Sequence, residues 1–170
     1  METSKTYENY PIWIVIPSIL VTFSIYFLGV LITYRLGWVI SIIYLGYILT
    51  LEFKLIRNDC INCYYWGKTC GFGRGRISSL FFKKGEPSNF CNNKISWKEM
   101  IPDLLVSLIP VIIGMVLLII KFDLLLLITL FAIIALTTAG NGFVRGTLTC
   151  KYCRQRELGC PAERLFNKGK

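Results

Sequence analysis

Four long apolar runs constrain the fold of this 170-residue chain more than any other feature. They cover approximately residues 12–33, 36–56, 102–120 and 124–140. Each is long enough to cross a hydrocarbon core of roughly 30 Å as a helix that rises about 1.5 Å per residue. Two structures satisfy the backbone hydrogen bonds in lipid, the α-helix and the closed β-barrel. None of the runs alternates apolar and polar residues as a barrel strand does, so helices are expected. The sequence therefore predicts an all-α membrane protein with four transmembrane helices.

Composition agrees with this prediction. Hydrophobic residues make up 54% of the chain, above the roughly 45–50% that is usual in soluble domains. The alternative is a soluble bundle with buried helices, which the length of the runs argues against. The first run lies where a signal peptide would, but it is too long, no basic cluster precedes it and no small-x-small cleavage motif follows. We interpret it as a retained span.

The distribution of charge predicts the orientation. Four spans place the amino terminus, the loop 57–100 and the tail 141–170 on one face of the membrane. Together with Lys54, at the end of the second run, these segments carry 17 of the 19 basic residues, and the turns on the other face carry Arg35 and Lys121. The positive-inside rule therefore predicts a multi-pass protein of the cell membrane with both termini and the loop in the cytoplasm.

The same three-cysteine pattern occurs twice. CINCYYWGKTC runs from Cys60 to Cys70 and CKYCRQRELGC from Cys150 to Cys160, both with the spacing C-x2-C-x6-C. Each triplet follows a pair of spans and precedes a short amphipathic segment. The pattern predicts a tandem repeat, residues 1–100 and 101–170, in which each helical hairpin is followed by a cytoplasmic Cys-rich module. An even number of spans per repeat predicts an axis of symmetry along the membrane normal.

All seven cysteines lie in the loop or the tail. In a reducing cytoplasm such cysteines are more often metal ligands or reactive thiols than disulfides. The candidate metal ligands are the two triplets, Cys60, Cys63, Cys70, Cys150, Cys153 and Cys160, with Cys91 as an additional candidate.

Two metal centres suit this set of ligands. The two C-x2-C pairs supply four thiolates, which would bind a structural zinc ion and clamp the hairpins together near the axis. Alternatively, an iron–sulfur cluster is held by the first triplet with Cys91, and the second triplet binds part of another cluster. Because the chain contains 0 histidines, mixed Cys/His sites and histidine-ligated haem are excluded.

A glycine-rich stretch, 71–75, leads into a short amphipathic segment with Ile77, Leu80 and Phe81 at i, i+3 and i+4. The tail repeats this spacing at Ala162, Leu165 and Phe166. Such segments with basic ends are suited to an anionic inner leaflet. The candidate lipid or anion contacts are Arg74, Arg76, Lys83 and Lys84.

Other ligand classes are less well supported. GFGRGR matches neither phosphate-binding fingerprint. Nucleic acid is not an expected partner, because the positive-inside rule already explains the basic charge and an interfacial aromatic belt explains Tyr64, Tyr65 and Trp66. The expected partners are a bilayer with an anionic inner leaflet and other membrane or cytoplasmic subunits.

Three functions remain open. The first is a metal-stabilised membrane scaffold or accessory subunit, and the second is a membrane-bound iron–sulfur electron-transfer protein. The third is a thiol-dependent membrane enzyme or redox sensor with a nucleophile at Cys70 or Cys160. No catalytic constellation is recognisable, because the chain has no histidine base and no serine or aspartate in a familiar nucleophile setting.

Overall fold

A computed structural model describes residues 6–92 and 97–160 of the chain. Throughout these ranges the regular elements are helical, and the β contact between Tyr7 and Cys153 is an isolated bridge. The α-helices are α1 (Ile12–Tyr34), α2 (Trp38–Asn58), α3 (Arg74–Phe81), α4 (Pro87–Asn92), α5 (Trp97–Ile120), α6 (Leu124–Ala135), α7 (Asn141–Phe143) and α8 (Arg154–Glu157).

Among the described residues, four helical stretches are long and apolar enough to span a membrane. They are Ile12–Tyr34, Trp38–Asn62, Met100–Ile120 and Leu124–Tyr152. This finding confirms the predicted four membrane helices and gives the chain the architecture of a multi-pass membrane protein. Many of the large apolar side chains on these stretches are exposed, as lipid-facing side chains must be.

The fourth stretch extends beyond its predicted end at residue 140. After α6 the chain passes through wide π-helical turns at Leu136–Gly140 and Val144–Thr149, which flank α7. Gly140, Asn141 and Gly142 are poor helix formers. Gly140 ends the first π-helical turn and the other two begin α7, so the helical path continues to the second cysteine triplet.

The chain divides into two compact units. The cysteine unit comprises Met1–Ile19, Phe53–Trp97 and Phe143–Lys170, and the hydrophobic unit comprises Leu20–Glu52 and Lys98–Gly142. The cysteine unit contains the positions of all seven cysteines. Each unit combines segments from both halves of the chain, so the compact units do not coincide with the predicted repeats. The division into repeats 1–100 and 101–170 stays a prediction.

Three charged side chains of the hydrophobic unit have partners near its turns and within its spans. Arg35, in the turn after α1, lies 3.1 Å from the carboxylate of Asp123, which caps α6. The two turns that we had predicted for one face of the membrane are therefore in contact. Within the spans, the Tyr26 hydroxyl donates a hydrogen bond to the Glu52 carboxylate. A glutamate in an apolar span is thus hydrogen-bonded, as burial of a polar group requires.

A tyrosine compensates for a proline in the same unit. Pro110 lies inside α5 and has no N–H, so it leaves the carbonyl of Val106, four residues earlier, without its helical donor. The Tyr44 hydroxyl donates to this carbonyl at 2.6 Å, and the contact is buried. Membrane helices tolerate proline where a neighbouring side chain satisfies the freed carbonyl in this way.

This arrangement predicts a non-additive pair of mutations. Tyr44→Phe should destabilise the protein by about 1–2 kcal/mol, because it leaves a buried carbonyl without a donor. In a Pro110→Ala background the same change should cost much less, since the new Ala N–H can bond to Val106. Unfolding in detergent measures both costs, with Tyr34→Phe, at an exposed tyrosine, as the control. Equal costs in the two backgrounds would contradict this explanation.

Candidate metal centre

The two cysteine triplets begin with the same local backbone. Cys60–Asn62 and Cys150–Tyr152 each form one turn of 3₁₀ helix directly after a membrane helix. In each turn the N–H of the second cysteine bonds to the carbonyl of the first, at 3.4 Å for Cys63 and 3.3 Å for Cys153. Both second cysteines are extended, with φ of −82° and −80°. Segments 90 residues apart thus present their thiols on equivalent turns.

A reciprocal pair of hydrogen bonds joins the two triplets. The backbone N–H of Tyr64 donates to Gln155 Oε1 at 2.7 Å. The backbone N–H of Arg154 donates to the Tyr65 hydroxyl at 2.9 Å. Tyr64 and Arg154 are equivalent positions, as are Tyr65 and Gln155, because each pair is 90 residues apart. Each segment therefore donates one backbone N–H to a side chain of the other, at equivalent positions.

The two acceptor side chains lie inside the cysteine unit. Tyr65 and Gln155 are each 2% exposed. Tyr65 packs with Tyr10 and Ile14, and its hydroxyl also donates to the Tyr7 carbonyl at 2.7 Å. The prediction that Tyr65 belongs to an interfacial aromatic belt is therefore wrong, because its ring is buried against the amino-terminal segment.

Cysteines of both triplets pack against one hydrophobic cluster. Cys63 and Cys70 of the first triplet and Cys153 of the second contact the cluster that contains Tyr10, Ile14 and Tyr65. Beyond the effect of burial, Cys153, Cys70 and Cys160 each add to the raised pKa of Cys63, so the two triplets are coupled electrostatically. The structure thus gathers all six predicted ligands into one region of the cysteine unit.

Nearby backbone N–H groups act on the second cysteine of each triplet. Against the larger effect of burial, that of Tyr65 lowers the pKa of Cys63, and those of Gln155 and Arg156 lower the pKa of Cys153. The N–H of Gly75 donates to Cys70 Sγ at 3.2 Å. Such N–H donors stabilise a thiolate over a thiol, and they commonly support the sulfur ligands of metal sites.

Burial acts in the opposite direction and dominates. It raises the pKa of Cys63 to about 12 and that of Cys153 to about 11, and the neighbouring thiols add to both shifts. Without a cation, these two side chains are neutral thiols at pH 7. Neutral, buried thiols are poor nucleophiles, whereas a bound metal ion would displace their protons.

Across residues 6–92 and 97–160, no three Cys, Asp or Glu side chains are placed to hold one metal ion. The six thiols are neighbours that do not converge on one point. A cysteine sulfur moves between staggered positions by rotation about a single bond. The donor set itself, six sulfurs of which Cys70 accepts a backbone N–H bond, is of the soft type that binds zinc or iron–sulfur clusters.

No family model matches this sequence, and comparison with curated proteins and with solved structures finds no significant match.

Cys91 lies beside the second triplet, although it belongs to the loop that follows the first. Its thiol donates to the carbonyl of Leu158 at 3.1 Å, and Gln155 Nε2 lies 3.7 Å from its sulfur. Gln155 thus touches both Tyr64 and Cys91. The hypothesis that groups Cys91 with the first triplet in one cluster gains no support from these contacts.

The glycine-rich stretch is the turn into α3 that we predicted. Gly73 precedes the helix with a φ of +74°, which favours glycine. The basic candidates Arg76, Lys83 and Lys84 are exposed around α3, whereas Arg74 is half-buried. The second amphipathic segment, with Ala162, Leu165 and Phe166, lies outside the described residues.

Proposed function

We propose that this protein is a membrane scaffold or accessory subunit whose two cysteine triplets form one shared metal site. The observation that carries the proposal is the reciprocal pair of hydrogen bonds, Tyr64 to Gln155 and Arg154 to Tyr65. These bonds support a two-fold pairing of the triplets, because equivalent positions exchange equivalent contacts. A shared site is supported by the packing of Cys63 and Cys153 against the same hydrophobic cluster.

The proposal includes a tandem duplication. In it, residues 1–100 and 101–170 are two copies of one unit, each a helical hairpin followed by a cysteine module. The matching 3₁₀ turns at Cys60 and Cys150 support this, together with the identical cysteine spacing. Duplicated hairpins have the same orientation in the membrane, so the modules meet on one face.

Zinc is the metal that we favour. The ligands would be the second cysteines, Cys63 and Cys153, with the first cysteines Cys60 and Cys150 completing a tetrahedral set of four sulfurs. In this proposal Cys70 and Cys160, which interact electrostatically with Cys60 and Cys150, support the site. Structural zinc contributes an apparent ~10–16 kcal/mol in small peptides, which would suffice to hold the two modules together.

We propose that both termini and the cysteine unit face the cytoplasm of the cell membrane. The basic residues of the loop and tail support this orientation. The opposite turns carry just Arg35 and Lys121, and Arg35 is paired with Asp123 at 3.1 Å. That pairing reduces the positive charge at the end which we place outside.

An iron–sulfur electron carrier is the second candidate. The hydrogen bond from the Gly75 N–H to Cys70 Sγ favours it, because N–H donors to sulfur help to set the reduction potentials of such clusters. Six thiols also exceed the four that one zinc ion needs. The bound metal therefore distinguishes the two candidates.

Metal analysis with an absorption spectrum tests the proposal on protein purified without oxygen in detergent. We expect about one equivalent of zinc with no visible band, as d¹⁰ zinc requires. Iron with sulfide and a broad visible absorption would instead support electron transfer. Protein with no stoichiometric metal would contradict both metal proposals and leave the thiol-dependent enzyme or redox sensor.

A further inference from the structure

Helix α3 exposes the side that a soluble protein would bury. Leu80 and Phe81 are 79% and 74% exposed, and Ile77 is exposed as well. The small residues Gly75 and Ser78 form its buried side. An amphipathic helix in water normally turns its apolar residues to the core. The exposed face of α3 is therefore apolar and would be more stable in contact with lipid or protein than with water.

The segment after α3 returns to a membrane-spanning helix. The Phe82 ring packs edge-on against the Phe53 ring with 5.5 Å between their centroids. Phe53 belongs to the span Trp38–Asn62 and is itself largely exposed. Trp66 Nε1 holds this position by donating to the Phe82 carbonyl at 3.3 Å. Lipid that covers Phe53 must therefore reach the carboxyl end of α3.

Basic side chains border the apolar face. Arg76 lies within α3, Lys83 and Lys84 follow it directly, and all three are exposed. An apolar face with a basic border is the pattern of helices that lie in the headgroup layer of anionic membranes. A docked protein would need a matching acidic apolar surface, whereas the bilayer that the spans already cross offers both components.

We propose that α3 lies in the headgroup layer of this bilayer. Ile77, Leu80 and Phe81 enter the outer part of the hydrocarbon, and the basic side chains bind the phosphates of anionic lipids. The cysteine module would thereby be attached to the membrane surface through Gly75, whose N–H contacts Cys70. This inference rests on the membrane spans and does not depend on which metal binds.

Photolabelling by lipid tests the inference on the full chain in nanodiscs. The discs contain phosphatidylcholine, phosphatidylglycerol and a trace of phospholipid with a diazirine in the acyl chain close to the headgroup. After illumination, mass spectrometry locates the label. We expect the peptide 76–82 to be labelled to a degree comparable with the exposed parts of α2. If the spans were labelled and peptide 76–82 were not, the proposal would be overturned. The apolar face of α3 would then contact water or protein instead of lipid.

Two variants separate the contributions of apolar area and charge. Leu80→Gln with Phe81→Gln should reduce labelling of peptide 76–82 several-fold and leave that of α2 and α5 unchanged. In the wild type we expect peptide 76–82 to be labelled more strongly in discs with phosphatidylglycerol than in discs of phosphatidylcholine alone. Lys83→Gln with Lys84→Gln should abolish this difference. Undiminished labelling in the first variant would refute apolar insertion. If the wild-type peptide were labelled equally with and without phosphatidylglycerol in the discs, the recognition of anionic lipid would be refuted.

Discussion

Replacing Cys63 with serine should remove nearly all bound metal, and replacing Cys153 should have the same effect. The two cysteines occupy equivalent turns and pack against the same hydrophobic cluster. If they share one site, loss of either ligand empties it. Changes to groups that merely support a ligand already lower metal affinity about 10- to 100-fold, and loss of a thiolate ligand should cost more. Metal content after purification and dialysis measures the effect.

Cys91→Ser is the matched control for these two variants. Cys91 contacts Leu158 and Gln155, and we place it outside the ligand set. We expect this variant to keep its metal. A Cys153→Ser protein that retains half of the wild-type metal would show two separate sites, one for each triplet. If Cys153→Ser kept its metal while Cys63→Ser lost it, the two triplets would not be equivalent.

The substitution Gly75→Ala should disrupt the first cysteine module. A Cβ at this position would overlap the backbone carbonyl oxygens of Tyr65 and Lys68. These atoms belong to the turn that follows Cys63 and cannot rotate away as a flexible side chain can. Overpacking usually costs about 1–3 kcal/mol and more where backbone must shift, so we expect at least about 3 kcal/mol. Thermal unfolding in detergent and metal content should both fall.

Gly146→Ala is the control for this change. It lies in the same cysteine unit, near the second triplet, and a Cβ there meets nothing within 4 Å. Because alanine favours a helical backbone over glycine, we expect a neutral or slightly stabilising effect. If both variants were equally unstable, the close packing of Gly75 against the two carbonyls would not be the cause.

The membrane helices could be predicted from the sequence because their signal is local. A run such as 12–33 contains its own evidence, namely enough consecutive apolar residues to cross a bilayer. The end of the fourth helix could not be predicted in this way. Gly140, Asn141 and Gly142 are typical of a helix end, yet two π-helical turns with α7 between them carry the chain to Thr149. Apolar periodicity does not predict such turns, because they change the hydrogen-bond register rather than the composition.

The candidate site could be predicted in part. The thiols were visible in the spacing C-x2-C-x6-C, and the structure brings all six into one region. The residues that join the triplets were missed, because Tyr65 and Gln155 differ in size and chemistry. What they share is the ability to accept a hydrogen bond. The signal that could have revealed them was their separation of 90 residues, which equals that of the cysteines.

Thiol labelling during a titration with a chelator tests the shared site most directly. The intact protein is exposed to a maleimide at rising chelator concentrations, and mass spectrometry follows each cysteine separately. If one metal site joins the triplets, Cys63 and Cys153 become reactive together, in a single transition with the other ligands. Labelling of Cys60, Cys63 and Cys70 at chelator concentrations that still protect Cys150, Cys153 and Cys160 would contradict the shared site.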